Sequence, residues 1–342
     1  MKPFLAPATR RTKSLFPQVM GGILAASVLL APRGAWAVSP SNYVTLDAPL
    51  ASQAAGRGTV ASSVSGSNVV GYYQDAALVY HGFLYNSGSY TVIDHPSAGS
   101  TLGYGTQITG IDGSNIVGMV TGPSLAKSFL YDGSTFTDIV FPGASETRVT
   151  AISGSSLAGQ YVDALGTHAF TFDGSIWKTL KVPSPRDTYA TGVSGSNVVG
   201  LYSDASGIFH GFLYNGSTYT TLDAPTAIQV NGLGTYANGI SGNVIVGLFQ
   251  DDSTGHGFLY DGSSWITLDA PQASGTEAKD IDGSRIVGYF YGPGSRQHGF
   301  LLTVPEPTSL ALVVAAFSMA RRKKAKTSPA FRWATYEAAT AK

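Results

Sequence analysis

Cysteine is absent from all 342 residues, which excludes a disulfide framework, a thiolate nucleophile and any cysteine-ligated zinc site. Charge is also scarce, with 12% of residues charged, so the chain does not have the composition of a disordered polyelectrolyte. Helical periodicity is missing between residues 43 and 303, and the long apolar runs lie at the two ends, Val19–Ala31 and Thr308–Ala320. No phosphate-binding loop, HExxH pair or D-x-D-x-D-G calcium loop occurs. The Gly-x-Ser contexts are turns between strands, not the strand-to-helix elbow that exposes a catalytic serine. What remains is a glycine-rich, Tyr-rich, strand-forming body with no catalytic signature.

The net charge of zero hides a segregation. Residues 1–37 carry five bases and no acid, and residues 321–342 carry seven bases and one acid. Residues 38–303 hold 19 acids and nine bases, so the body is negative by 19 − 9 = 10 charges. An acidic body repels phosphate backbones, and nucleic acid is excluded as a partner. The basic start, the apolar run and the small-x-small site Ala35-Trp36-Ala37 read as a signal peptide over 1–37, exported by the general secretory route.

At the other end Pro305-Glu306-Pro307 precedes the apolar run 308–320 and the basic cluster Arg321–Lys324. That order over residues 304–324 resembles the PEP-CTERM sorting signal of Gram-negative bacteria. The resemblance implies an exosortase-type processing protease as partner and transient contact with the inner membrane through residues 308–320. The basic cluster would stay cytoplasmic by the positive-inside rule. Thirteen residues span roughly 20 Å as a helix, short of a hydrocarbon core of about 30 Å, and a basic tail over 325–342 follows. A plain C-terminal membrane anchor is the alternative.

Between these ends the sequence repeats. The stretch Phe209–Pro225, FHGFLYNGSTYTTLDAP, is the fullest copy of its second half. Its Phe recurs at 83, 129, 170, 212, 258 and 300, and a Gly after an apolar pair recurs at 71, 118, 159, 200, 247 and 288. A strand ending in Pro recurs at 49, 96, 142, 183, 225 and 271. Each unit contains four short strand signals separated by turn residues, the dimensions of a propeller blade. In the fourth unit these are Thr188–Val193, Val198–Tyr202, Phe209–Tyr214 and Tyr219–Leu222, with Asn215-Gly216 as a two-residue hairpin turn.

The chain left after the expected signal peptide starts with a lone fourth-type strand, Tyr43–Pro49, and its last unit lacks that strand. An all-β fold is therefore expected over 38–303: a six-bladed β-propeller of four-stranded blades, closed by the N-terminal strand completing the last blade. An open β-solenoid is the alternative. The rings Tyr43, Tyr90, Phe136, Trp177, Tyr219 and Trp265 are expected to fill the gaps between outer blade regions. Asn-Val-Val-Gly followed by His-Gly-Phe-Leu-Tyr, and the literal His168-Ala169-Phe170, resemble the HAF repeat of extracellular bacterial proteins. The resemblance covers roughly residues 56–302 and implies export and surface exposure without naming a reaction.

Five of six histidines occupy one repeat position, with acids just upstream, giving the candidate pairs Asp75/His81, Asp163/His168, Asp204/His210 and Asp251/His256. Residues in equivalent blades point to separate places, whereas a metal needs convergence, so these pairs read as blade-edge fastenings and neither cofactor nor metal is expected. The Asp of the D-A-P run reads as a turn cap, and His95, which replaces its Ala, as a solvated rim residue. Asp251-Asp252 and Asp280-Ile281-Asp282 are the acidic clusters a calcium ion would need.

Catalysis or recognition on a repeat scaffold shows as broken symmetry. The first strand of each unit is the most diverse, and Arg148, Tyr189, Tyr236, Glu277 and Lys279 share its face by period-two alternation. These five are the candidate ligand-contacting set. The turns on one rim are short and constant, and the loops on the other vary, which marks the second as the recognition face. Exopolysaccharide binding at a cell surface is the expected function, and a propeller enzyme acting on a glycan, lactone or ester is the alternative.

Overall fold

The computed structural model describes residues 38–305 apart from 124, 183 and 184; the proposed signal peptide, Glu306 and Pro307 of the sorting motif, the run 308–320 and the tail lie outside the described residues. Within them 24 β-strands and two single-turn 3₁₀ segments alternate, with no α-helix. The strands form six antiparallel blades of four, and a single parallel bridge, Tyr80 to Gly105, links the first two. The innermost strands are Thr59–Ser65, Gly105–Asp112, Glu146–Ser153, Asp187–Ser194, Thr235–Ser241 and Thr276–Asp282. Each touches the next around a closed circle, the last meeting the first. The fold is a six-bladed β-propeller.

Closure follows the expectation. Tyr43–Leu46 forms the outermost strand of the sixth blade, with Tyr43 opposite Leu302, Thr45 opposite Phe300 and Leu46 opposite Gly299. Leu46 and Ala48 are buried beneath it. Pairing the two chain ends this way removes the unpaired edge of an incomplete blade.

The repeated columns have direct physical causes. Each recurring Phe is fully buried and stands directly across the strand pair from the recurring Gly, as Phe212 does from Gly200. A Cβ on Gly200 would lie 2.0 Å from the Tyr189 carbonyl and 2.8 Å from the Phe212 ring, so the aromatic core requires glycine there. The Thr that opens an innermost strand accepts the N–H of the D-A-P alanine, at 2.9 Å for Ala48 to Thr59 and 3.0 Å for both Ala224 to Thr235 and Ala270 to Thr276. The outer rings pack chiefly on their own blade, Trp177 on Phe170 and Phe172 and Tyr219 on Tyr214, with Phe136 against His95 from the neighbouring blade.

Two features differ from the sequence expectation. The fourth-blade turn has four residues, since Tyr214 pairs with Tyr219, and only Gly216 has positive φ. Asn215 keeps ordinary φ because its side chain accepts the N–H groups of Ser217 and Thr218. Every innermost strand also carries a β-bulge, at Ser62, Thr109, Thr150, Thr191, Asn238 and Lys279. The bulge residue turns toward the axis and ties adjacent blades: Thr109 donates to the Val149 carbonyl (3.0 Å), Thr150 to that of Ala190 (2.7 Å) and Asn238 to that of Ala278 (2.9 Å).

Candidate functional site

The long connections that cross the variable rim carry Gly-x-Gly-Thr at 56–59, 103–106 and 232–235. Gly58, Gly105 and Gly234 take φ between +133° and +140° and lie against the backbones of Gln297, Tyr80 and Phe209. There the third strand of one blade hydrogen-bonds the approach to the next, as in Phe209 N–H to the Leu233 carbonyl at 2.9 Å. The loops are thus stapled to the scaffold rather than free.

The histidines sit just below this rim, each between an aromatic face and carboxylates. His210 stacks on Tyr202 with centroids 5.1 Å apart, and its Nδ1 is 3.0 Å from Asp223. The upstream partner Asp204 stands farther off, 3.7 Å from Nε2. His81 repeats this, 2.7 Å from Asp94 and 3.6 Å from Asp75, while His256 lies 2.9 Å from Asp269 and 3.1 Å from Asp251. His168 pairs with Asp163 at 3.1 Å. The D-A-P aspartate is therefore the nearer histidine partner in the first, fourth and fifth blades, not chiefly a turn cap, whereas the third blade has Lys181 at that position. The upstream acids cap turns: Asp204 accepts from the N–H groups of Ile208 and Ser206, Asp251 from the Ser253 hydroxyl and the N–H groups of Ser253 and Thr254, and these bonds lower both carboxyls from the usual range. Among the described residues no group of three His or acidic side chains converges as a metal site.

His95 is not a solvated rim residue. Its ring is 4.7 Å from Phe136 and 5.6 Å from Phe129, and this burial lowers its basicity. It occupies the position of the buried alanines 48, 224 and 270, at the junction where a groove of about 640 Å³ opens between the first two blades.

The axial channel is where repeat symmetry fails. Around it the first five blades present Ser, Thr, Asn, Gly or Ala at the bulge and the next position, whereas the sixth presents Lys279 and Asp280. Glu277 is the hub on the variable-rim side. Its carboxylate accepts from Lys279 Nζ at 3.0 Å, Asn238 Nδ2 at 3.0 Å and Tyr289 Oη at 2.6 Å. Burial alone would raise this carboxyl, but the ammonium beside it and the three donors hold it below the usual range. Burial and the Glu277 charge together push Tyr289 up and Tyr236 up to about 12.

The candidate set divides accordingly. Glu277 and Lys279 are in direct contact, and Tyr236 stands within the field of Glu277, its hydroxyl donating to the Gly232 carbonyl at 2.8 Å. Tyr189 lies half-buried nearer Asp187 and Arg148, and Arg148 turns outward to Glu146. The missed members are Tyr72 and Tyr289, in the position after the recurring Gly of the second strand. Tyr72 meets Tyr80 edge-on at 5.7 Å and Tyr289 meets Tyr291 at 5.6 Å, so the first and sixth blades line one side of the mouth with phenols. The available signal was that only these two blades read Gly-Tyr there.

Below this cluster the channel narrows. A chamber of about 160 Å³, walled by Tyr72, Gln107, Asn238 and Lys279, leads to a space of about 30 Å³ at the bulges. Beyond lies another chamber of about 160 Å³ toward the short-turn rim, lined by Asp112, Asp280 and Asp282. Asp280 retains some surface along the channel yet has protein on every side. Its carboxylate accepts from Ser63 Oγ at 2.5 Å and Val64 N–H at 3.1 Å, and burial pushes its pKa up to about 6 despite those bonds.

No protein-family model and no curated protein sequence matches the chain. Solved structures share its outline at low identity. Aleuria aurantia lectin, with α-methyl-L-fucoside bound, aligns at 14% identity over 71% of this chain and 90% of the lectin, TM-score 0.45. The propeller domain of the Trilobed protease from Pyrococcus furiosus aligns at 10% over 74% and 96%, TM-score 0.48. Trypanosoma rangeli sialidase in complex with DANA aligns at 10% over 85% and 63%, TM-score 0.48. At these values the fold assignment rests on the strand ladders themselves.

Proposed function

We propose that this is an exported cell-surface or extracellular protein, of the HAF-repeat kind, that binds a polysaccharide on its variable rim without chemically altering it. The observation that carries the reading is the mouth of the channel: phenol rings on the second strands of two adjacent blades beside fixed polar groups, below loops stapled to a rigid ring. Aromatic faces with a few placed hydrogen-bonding groups are the chemistry that holds sugar rings. The carboxylates speak for binding over turnover. Glu277 is already occupied by three donors, and Asp280 lines a space too small for a sugar ring.

The position of the chain ends supports the surface reading. Tyr43 pairs with Leu302, and Val304 N–H donates to the Ser284 carbonyl in a short turn. Both ends of the body therefore leave on the short-turn rim. A C-terminal tether, as the sorting-signal resemblance and its exosortase-type protease would provide, leaves the variable rim facing away from the cell.

A glycan array probed with residues 38–303, alongside a hydrolysis screen of glycans, lactones and esters, tests this. Saturable binding without product formation is expected. Turnover with no retained glycan would replace the reading with the enzymatic one.

A further inference from the structure

We infer that the channel chamber on the variable-rim side receives the end of a saccharide chain and not an interior stretch; this rests on the binding reading above. The argument starts from shape. The chamber holds about 160 Å³, well below the roughly 300 Å³ at which pockets begin to enclose drug-sized ligands, so it suits one sugar ring. Its floor is the bulge constriction of about 30 Å³, room for a single water. An interior residue needs two exits for its chain, and this chamber gives a sugar one.

The lining selects the chemical class. The hydroxyls of Thr109, Thr150 and Thr191 spend their hydrogens on backbone carbonyls, so they turn lone pairs to the axis. Lys279 directs one N–H to Glu277 and has no other hydrogen-bond partner among the described residues, and Gln107 adds an amide to the same wall. Ser62 Oγ is buried, lines the chamber and has no hydrogen-bond partner. An orphaned hydroxyl at a chamber wall is a site that a ligand or water must satisfy. Acceptors below and donors at the side match a ring bearing neighbouring hydroxyls, each of which both donates and accepts. An anionic sugar is disfavoured, because Glu277 compensates the one ammonium and Asp280 lies beneath.

The test uses residues 38–303 and the polysaccharide positive on the array, cut into fragments of two lengths and titrated calorimetrically. End recognition gives one protein per chain at both lengths, and the free sugar from the chain terminus competes. Gln107→Ala and Lys279→Met each weaken binding at least tenfold; Gln107→Ala, outside the Glu277 cluster, keeps the wild-type melting transition. Protein bound in proportion to fragment length, or binding indifferent to both substitutions, overturns the inference while leaving polysaccharide binding intact. Silence of the whole array overturns the binding reading itself.

Discussion

The fourth and sixth blades have the same strand order but different origins. The fourth is one uninterrupted stretch of chain, whereas the sixth takes its outer strand from the opposite end of the sequence. Their shared parts match closely: Phe212 and Phe300 are equally buried, and His210 meets Asp223 as His298 meets Asp47, at 3.0 Å in both. They part company at the axis, where Tyr189, Thr191 and Gly192 in one correspond to Glu277, Lys279 and Asp280 in the other. What recurs in this molecule builds the ring, and what fails to recur supplies chemistry. Asp47, Leu46 and Ala48 show that ring-building parts can come from anywhere in the chain.

The largest expected effect isolates the origin of the strand. Removing residues 43–49 exposes the third strand of the sixth blade and empties the positions of Leu46 and Ala48. The loss should be on the order of 5 kcal/mol or more, enough to abolish a cooperative melt near the wild-type temperature. Calorimetry of the truncated body checks it; an unchanged transition would mean the sixth blade stands without its borrowed strand.

Next come Phe212→Ala and Phe300→Ala. Each empties a fully buried ring site and should cost about 3–5 kcal/mol, with the two values alike if the sixth blade is as well integrated as the fourth. Urea titration reads both, and a much smaller cost at Phe300 would break the equivalence.

Asp280→Asn sharpens the contrast at the axis. The folded-state pKa of Asp280 is raised to about 6, so the folded protein holds this proton more tightly than the unfolded chain does. Below about pH 4 both states are protonated and no penalty exists; it grows as pH rises to about 6 and is constant above. Relative to the Asn variant, the wild type should therefore lose up to about 3 kcal/mol between pH 4 and 7. Denaturation of both at several pH values measures this, and parallel stability curves would contradict the assigned burial.

The smallest effect compares the fastenings. Asp47→Asn and Asp223→Asn each weaken a partly exposed His–Asp contact, and each should cost no more than about 1 kcal/mol. A much larger cost at Asp47 would mean that closure depends on this contact rather than on the strand ladder.

The blade count, the closing strand and the core columns were legible because each recurs at a readable spacing and each has one cause: buried Phe facing Gly, Thr catching the D-A-P amide. The bulges went unread although each leaves a mark: the buried apolar residues flanking it stand three apart and so break strict alternation, as Val149 and Ile152 or Ala237 and Ile240 do. Their consequence was the larger omission. Strict alternation places Lys279 and Asp280 on opposite faces, and the bulge at Lys279 brings both to the channel. The partnership of His81, His210 and His256 with Asp94, Asp223 and Asp269 was hidden because the partners are 13 residues apart, joined only when the third and fourth strands pair. The phenol side of the mouth escaped for a related reason, since Tyr72 and Tyr289 become neighbours only through ring closure.

Cross-linking the two chain ends probes closure most directly. The chain has no native cysteine, and Val44 stands opposite Leu301 in the closing strand pair. A Val44→Cys, Leu301→Cys protein should form an intramolecular disulfide on oxidation while folded, and its melting temperature should rise above that of the reduced form. Monomers that stay unlinked, or cross-link only between molecules, would contradict a ring completed by its own first strand.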